Sequence, residues 1–246
     1  VSAIRKEVQI GDCVMTGAIP DDVWPLVRDY HYSHRMPSNI HQCFAWRSAG
    51  GLFGDRGEPL AAAIYGQPVN RSWPIDALEL QRLVRRDDFD GKLSAFLSWS
   101  LRWLRGNTNV PFVISYADSG KGHHGGIYQA TGWKFVRETG QYQDGIINRK
   151  TGEYIHGRQC NRMFGSRSLE VLKAVPGDFE PAYHETKYLY VYPLRQHLSA
   201  LLKRFDWTEL PYPKPNAARP ADAPVPTGAS EAQPLGAAPN STGVAA

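Results

Sequence analysis

The chain has 246 residues, 42% of them hydrophobic and 21% charged, with 7 Trp, 12 Tyr and 9 Phe, enough apolar and aromatic surface for one sizeable core. No run approaches the roughly 18 apolar residues a membrane span needs, and the N-terminal VSAIRKEVQIGD carries no apolar signal segment, so a soluble protein without an export address or a membrane partner is expected. The net charge of +4 excludes a protein that coats nucleic acid through charge alone and leaves room for a local basic surface. Cys13, Cys43 and Cys160 are odd in number and form no CxxC pair, which supports neither a disulfide framework nor a zinc ribbon and points to a reducing cytoplasm.

In chain order, the first dense polar cluster is Asp29-Tyr-His31-Tyr32-Ser-His34-Arg35. His31 and His34 are three apart, so on a helix they share a face and, with Asp118, suffice for a metal ion; no further ligand motif accompanies them, and no metal is required. Surface histidines are the alternative. Strands are predicted at 42–47, 60–65 and 78–84. In the last of these, LELQRLV, Arg82 sits among apolar neighbours and needs an anion or a carboxylate such as Glu79, since a lone buried guanidinium is costly.

A helix follows at about 91–105, GKLSAFLSWSLRWLR, with Asp90 placed to cap it, Leu93, Phe96, Leu97, Leu101 and Leu104 spaced by three and four, and Gly106 ending the run. The next strand, 112–117, leads to Asp118 and the Gly-rich loop SGKGHHGG. A carboxylate where a strand runs out, beside exposed backbone N–H groups, is placed to accept a proton or orient an amine, or else to cap the loop as an Asx-turn. Ser115 and Tyr116 on this strand, with His123, Gly125 and Gly126 in the loop, are candidate substrate contacts. The histidines reach a phosphate or a base, or simply face solvent. A short helix from about Gly125 to Gly132 and a strand at 133–138 complete an α/β crossover pattern.

Residues 140–186 have weak periodicity and read as an extended excursion within a domain spanning 1–210. In 149–173, Arg149, Lys150, Arg158, Arg162, Arg167 and Lys173 face only Glu153 and Glu170, a local excess that suits phosphate binding or a solvated basic face. After a strand at 187–192, residues 211–246 hold eight of the 18 prolines, their charges cancel, and large apolar residues nearly vanish. A mostly disordered tail is expected there.

The pieces LELQRLV, SAFLSWSLRWLR, ISYADSGKGHHGGIYQATGWKF and KYLYVYPL, in this order and spacing from about residue 28 to 213, resemble the Mom family of phage DNA-modification proteins, which are similar in fold to GCN5-related N-acyltransferases. The resemblance implies an α/β fold of that type, a mixed central sheet flanked by helices. It implies a transferase linked to carbamoylmethylation of adenine N6 in duplex DNA, encoded by a phage or prophage, acting in the bacterial cytoplasm and shielding phage DNA from restriction. The spacing Tyr128-Gln-Ala-Thr-Gly132-Trp133 resembles the acyltransferase helix whose tyrosine protonates the leaving group, so Tyr128 is the candidate general acid, beside Asp118 as the group handling the amine. His31-Tyr32 matches a His-Tyr pair of the family to which a site role is implied, His31 as base or metal ligand and Tyr32 as a stacking partner for an extruded adenine. The family also places an Arg at position 82.

Acyltransferases of this fold grip the coenzyme A pyrophosphate with a Gln/Arg-x-x-Gly-x-Gly/Ala turn. The corresponding stretch is Arg86-Asp-Asp-Phe-Asp-Gly91, where Phe89 replaces the first glycine and the carboxylates repel a pyrophosphate. Mom-like proteins share this departure, so an acyl-CoA donor is doubtful and the partner besides duplex DNA is a small-molecule or carrier-bound group donor. A pocket for the flipped base is expected from Tyr32, Trp46 or Tyr116. A small-molecule N-acyltransferase and a noncatalytic DNA-binding protein are the alternatives.

Overall fold

The computed structural model describes residues 7–10, 12–48, 57–70 and 73–214. Strands β1 (Val8–Ile10) and β2 (Cys13–Ala18) lead into helix α1 (Pro20–Tyr30), which is followed by β3 (Ile40–Ser48), β4 (Pro59–Gly66) and β5 (Leu78–Arg85). Helix α2 (Leu93–Asn107) crosses to β6 (Phe112–Asp118); then come α3 (Gly126–Ala130), β7 (Lys134–Glu138), β8 (Tyr142–Asn148) and β9 (Tyr154–His156). Helices α4 (Gly157–Phe164) and α5 (Leu169–Leu172), strands β10 (Phe179–His184) and β11 (Lys187–Pro193), and helix α6 (Leu198–Phe205) complete the order. Among the described residues, no helix is long and apolar enough to cross a membrane.

Eight strands form one mixed sheet in the order β1-β2-β3-β4-β5-β6-β11-β7. Its pairings are antiparallel except for β5 with β6. The parallel pair needs a long crossover, and α2 supplies it. Phe96, Leu97, Leu101 and Leu104 of α2 bury their stripe against Phe44, Tyr65, Leu80 and Val113 on one face of the sheet. On the other face, Val23, Leu26 and Val27 of α1 cover Cys43, Ala45, Ala62, Ile64 and Val84, while α6 and Trp73 cover Phe112, Ile114, Leu189 and Val191. Helices on both faces explain why β4 reads as the continuous apolar run LAAAIY.

The fold class is the expected one, a mixed, mostly antiparallel sheet flanked by helices, and several local features differ. Asp90 does not cap α2: the N-cap is Lys92, without a side-chain hydrogen bond, and the helix continues through Gly106 to Asn107, because its apolar stripe outweighs one glycine. Helix α1 is not among the elements expected from sequence; its stripe is only three residues, held by Pro20 at the start and by the Asp22–Arg47 pair at 2.6 Å. The stretch 140–186, expected as an extended excursion, has regular structure of its own. It folds as a second sheet, β10-β8-β9, with α4 and α5 packing Cys160 and Leu172 on Ile146 and Ile155.

Of the segment expected to be a disordered tail, residues 211–214 dock on the body: the Tyr212 hydroxyl donates to the Trp133 carbonyl at 2.7 Å and the Pro213 carbonyl accepts from Gln129 at 3.3 Å. Residues 215–246 lie outside the described residues.

Candidate active site

Strands β5 and β6 touch only at Leu78–Val113 and Glu79–Ile114, after which β5 follows β4 and β6 follows β11. The sheet therefore splays open beyond Glu79. A bulge in β5 sharpens the divergence, because Ile64 faces Arg82 while Tyr65 faces Leu80, leaving Gln81 as the extra residue. The bulge also turns Arg82 away from the α2 side, where Leu80 packs.

On the α2 side of the opening, the Ser115 hydroxyl donates to the Leu80 carbonyl at 3.0 Å. Its oxygen lies 2.8 Å from the Tyr128 hydroxyl. Tyr128 is buried between Trp133 and Tyr190, with ring centroids at 5.2 and 4.9 Å, and burial pushes its phenol up to about 12. Gly125, at φ +83°, opens α3, and a Cβ there would come within 2.4 Å of the Tyr190 ring. Only glycine fits both demands. Gly125 thus seats the helix that carries Tyr128, and Gly126 begins that helix.

Asp118 ends β6 and is buried, and its carboxylate accepts from the Gly120 N–H at 3.1 Å. The Asx-turn of the alternative reading is present. The same side chain lines a cavity of about 310 Å³ with Gly120, Lys121, Tyr154, Tyr183, His184 and Glu185, so it both caps the loop and faces open space.

His31 and Tyr32 follow α1 with their rings stacked at 4.4 Å, and Tyr32 lies 6.0 Å from the His123 ring. His31 Nδ1 accepts from the Ser33 N–H at 3.1 Å, with the Ser33 hydroxyl at 2.8 Å, so the neutral ring carries its hydrogen on Nε2. Burial, with Arg82 nearby, lowers its pKa to about 4. Tyr32 is raised by burial and then by the Asp118 charge, with Arg82 opposing.

Arg82 donates to the carbonyls of Arg35 at 3.0 Å and Gln81 at 2.6 Å. Glu79 instead accepts from the Val69 N–H at 3.2 Å, and burial raises its pKa against the pull of Arg82 and Lys187. Glu79 is thus a half-buried acid of the opening that the sequence offered only as an ion-pair partner for Arg82; its place between Leu78 and Leu80 was the available signal.

Tyr32, His31, Arg82, Ser115, Asp118, His123 and Tyr128 therefore gather around one opening. Two expected pocket walls do not join them. Trp46 is 5% exposed and packs on Phe89 and Phe96 beneath α2, and Tyr116 packs into the α6-side cluster. The shared helical face for His31 and His34 is absent as well, because α1 ends at Tyr30 and His34 adopts φ +47° with its ring on the Arg28 carbonyl at 2.6 Å. Among the described residues, no three His, Cys, Asp or Glu side chains are grouped to hold a metal ion.

The turn 86–91 does not fit an acyl-CoA pyrophosphate. The Arg86 guanidinium is consumed by Asp88 at 2.7 and 2.9 Å and by Glu58 at 2.7 Å. The Phe89 ring fills the space over Gly91, where a Cβ would come within 2.1 Å of it. Of the expected DNA contacts, Arg149 is paired with Glu180 at 3.1 Å, whereas Lys150, Arg158, Arg162 and Arg167 are exposed.

The model of the Mom protein family matches residues 18–214. Similar solved structures include the ribosomal-protein-S18-alanine N-acetyltransferase from Escherichia coli, at 10% identity over 75% of this chain and 96% of that one, TM-score 0.44. Others are the IAA acetyltransferase from Bacillus cereus ATCC 14579, at 10% identity over 74% and 99%, TM-score 0.43, and Arabidopsis thaliana NAA60 in complex with a bisubstrate analogue, at 13% over 74% and 97%, TM-score 0.44. No curated protein matches the chain.

Proposed function

The chain belongs to the Mom protein family, and on that premise we propose that it is a transferase that modifies the N6 amine of adenine in duplex DNA, with a carbamoylmethyl-type adduct, in the cytoplasm of a bacterial host. The observation that carries this reading is the convergence of a buried phenol–hydroxyl pair, Tyr128 and Ser115, with the carboxylate of Asp118 and the stacked rings of His31 and Tyr32 at the opening between β5 and β6. A proton donor and a proton acceptor that both lie near the Tyr32 ring are what transfer to an amine needs.

The adenine amine is a weak nucleophile because its lone pair is delocalised into the ring. Flipping the base out of the duplex brings the amine to Asp118, and the exposed Tyr32 ring supplies a stacking surface. As N6 forms its bond to the transferred carbon, Asp118 takes the amine proton. The bond between that carbon and the donor's leaving group breaks, and Tyr128 gives its proton to the departing atom. A phenol raised to about 12 stays protonated at neutral pH, so it serves as donor and not as base. His31, with Nδ1 engaged, offers Nε2–H and acts as a hydrogen-bond donor.

The adduct shields DNA because restriction enzymes read the major-groove edge of adenine, where N6 lies. DNA from cells expressing the chain is expected to resist several unrelated restriction enzymes whose sites contain adenine. Full digestion together with an unmodified nucleoside profile would overturn the reading in favour of a small-molecule transferase or a noncatalytic DNA-binding protein.

A further inference from the structure

Helix α4 buries Gly157 and Cys160 against the second sheet and turns Arg158, Gln159, Asn161 and Arg162 to solvent. Among the described residues, none of these four side chains makes a hydrogen bond or ion pair. Other arginines of the chain are tied to carboxylates, Arg47 to Asp22, Arg86 to Asp88 and Glu58, and Arg149 to Glu180. Arg158 and Arg162 are four apart, so their like charges face each other on the helix and repel unless an acceptor-rich partner intervenes.

The helix is held rigidly. His156 caps it by accepting the Arg158 N–H at 3.0 Å, and the Cys160 thiol donates to the Ile155 carbonyl at 3.3 Å. A Cβ at Gly157 would come within 2.6 Å of the Asp144 carbonyl, so the first turn sits directly on the backbone of β8. Gly165, at φ +73°, ends it.

We propose that α4 enters the major groove of duplex DNA and reads base edges beside the target adenine. This rests on the DNA-modification reading above and adds a specificity determinant to it. A phosphate-binding surface needs only charge, and lysines suffice. Here two guanidinium forks, which match guanine O6 and N7, stand with two carboxamides, which match adenine N6 and N7, on a helix about 12 Å long. The strand that feeds α4 also contributes Tyr154 to the cavity that Asp118 lines, which sets the helix next to the reacting site and not over it. The bases it reads are therefore neighbours of the modified one.

The test is binding selection from a randomised duplex library with the full chain. It requires no turnover, so it is independent of whether adenine is modified, which nucleoside mass spectrometry reads separately. The wild type is expected to enrich a short motif. A variant carrying Arg158→Lys and Arg162→Lys keeps both charges, so its affinity for unselected duplex should stay within about twofold while its preference for the motif falls roughly tenfold. Gln159→Ala with Asn161→Ala should lose preference at other positions of the motif. The altered residues are exposed, and unchanged thermal unfolding confirms that each variant is folded. No motif in the wild type, or an unaltered motif in both variants, would overturn the proposal and leave α4 as an electrostatic contact.

Discussion

Tyr128 Oη and Ser115 Oγ lie 2.8 Å apart inside the sheet opening, and the Ser115 proton is already given to the Leu80 carbonyl at 3.0 Å. A hydroxyl has one proton to give, so in this arrangement the phenol donates to the serine. Turning the Ser115 proton from Leu80 to Tyr128 frees the phenol proton for a leaving group. Ser115 is thus a relay partner of the proposed acid, and the open splay of β5 from β6 makes it possible, since a paired strand would occupy the Leu80 carbonyl.

Ser115→Ala is expected to leave the Tyr128 hydroxyl and the Leu80 carbonyl without this partner, at a cost of roughly 1–3 kcal/mol in stability. Product formation should fall more than that fold loss explains, by about 10²-fold at temperatures where the variant is folded, with DNA affinity unchanged. Modification assays beside thermal unfolding check this; wild-type rates would remove Ser115 from the mechanism.

The His31 ring titrates near 4 in the folded chain, against 6.5 when unfolded. Between those values the unfolded chain holds a proton that the folded chain does not, so stability rises with pH there and is lost as pH falls from 6.5 towards 4. The loss from this group is on the order of 3 kcal/mol. Urea unfolding at pH 7 and pH 5 should show a steeper decline for the wild type than for His31→Gln; parallel declines would contradict the burial account.

Coenzyme A should give no thermal stabilisation, because Arg86 is tied to Asp88 and Glu58 and Phe89 occupies the turn. Differential scanning fluorimetry with millimolar coenzyme A checks this. A concentration-dependent rise in Tm would show that the turn rearranges to take a pyrophosphate.

The β5, α2 and β6 stretch was legible because long runs with clean helical or extended patterning declare themselves. Helix α1 was not, since its stripe is Val23, Leu26 and Val27 alone, with Pro25 in its midst. The second sheet was hidden for a related reason: β9 is three residues long, and β8 is interrupted by Gly145. Tyr128 and Asp118 stood out as a tyrosine before a glycine exit and a carboxylate at a strand end. Their convergence with His31 and Tyr32 depends on the Gln81 bulge and the splay after Glu79, which are tertiary features. Trp46 was misassigned because β3 is covered on both faces, so alternation could not say which side opens on a site.

In the proposed reaction Asp118 takes the proton from adenine N6 and Tyr128 gives one to the donor's leaving group. The most direct measurement is mass spectrometry of nucleosides from the DNA of cells expressing the wild type, Tyr128→Phe and Asp118→Asn at matched soluble levels. Both substitutions nearly conserve volume and remove only a proton-transfer group. The account predicts a heavier adenosine in the wild type and a loss of about 10²-fold or more in each variant, with duplex binding retained. An unmodified adenosine pool in the wild type, or wild-type yields from both variants, would contradict it.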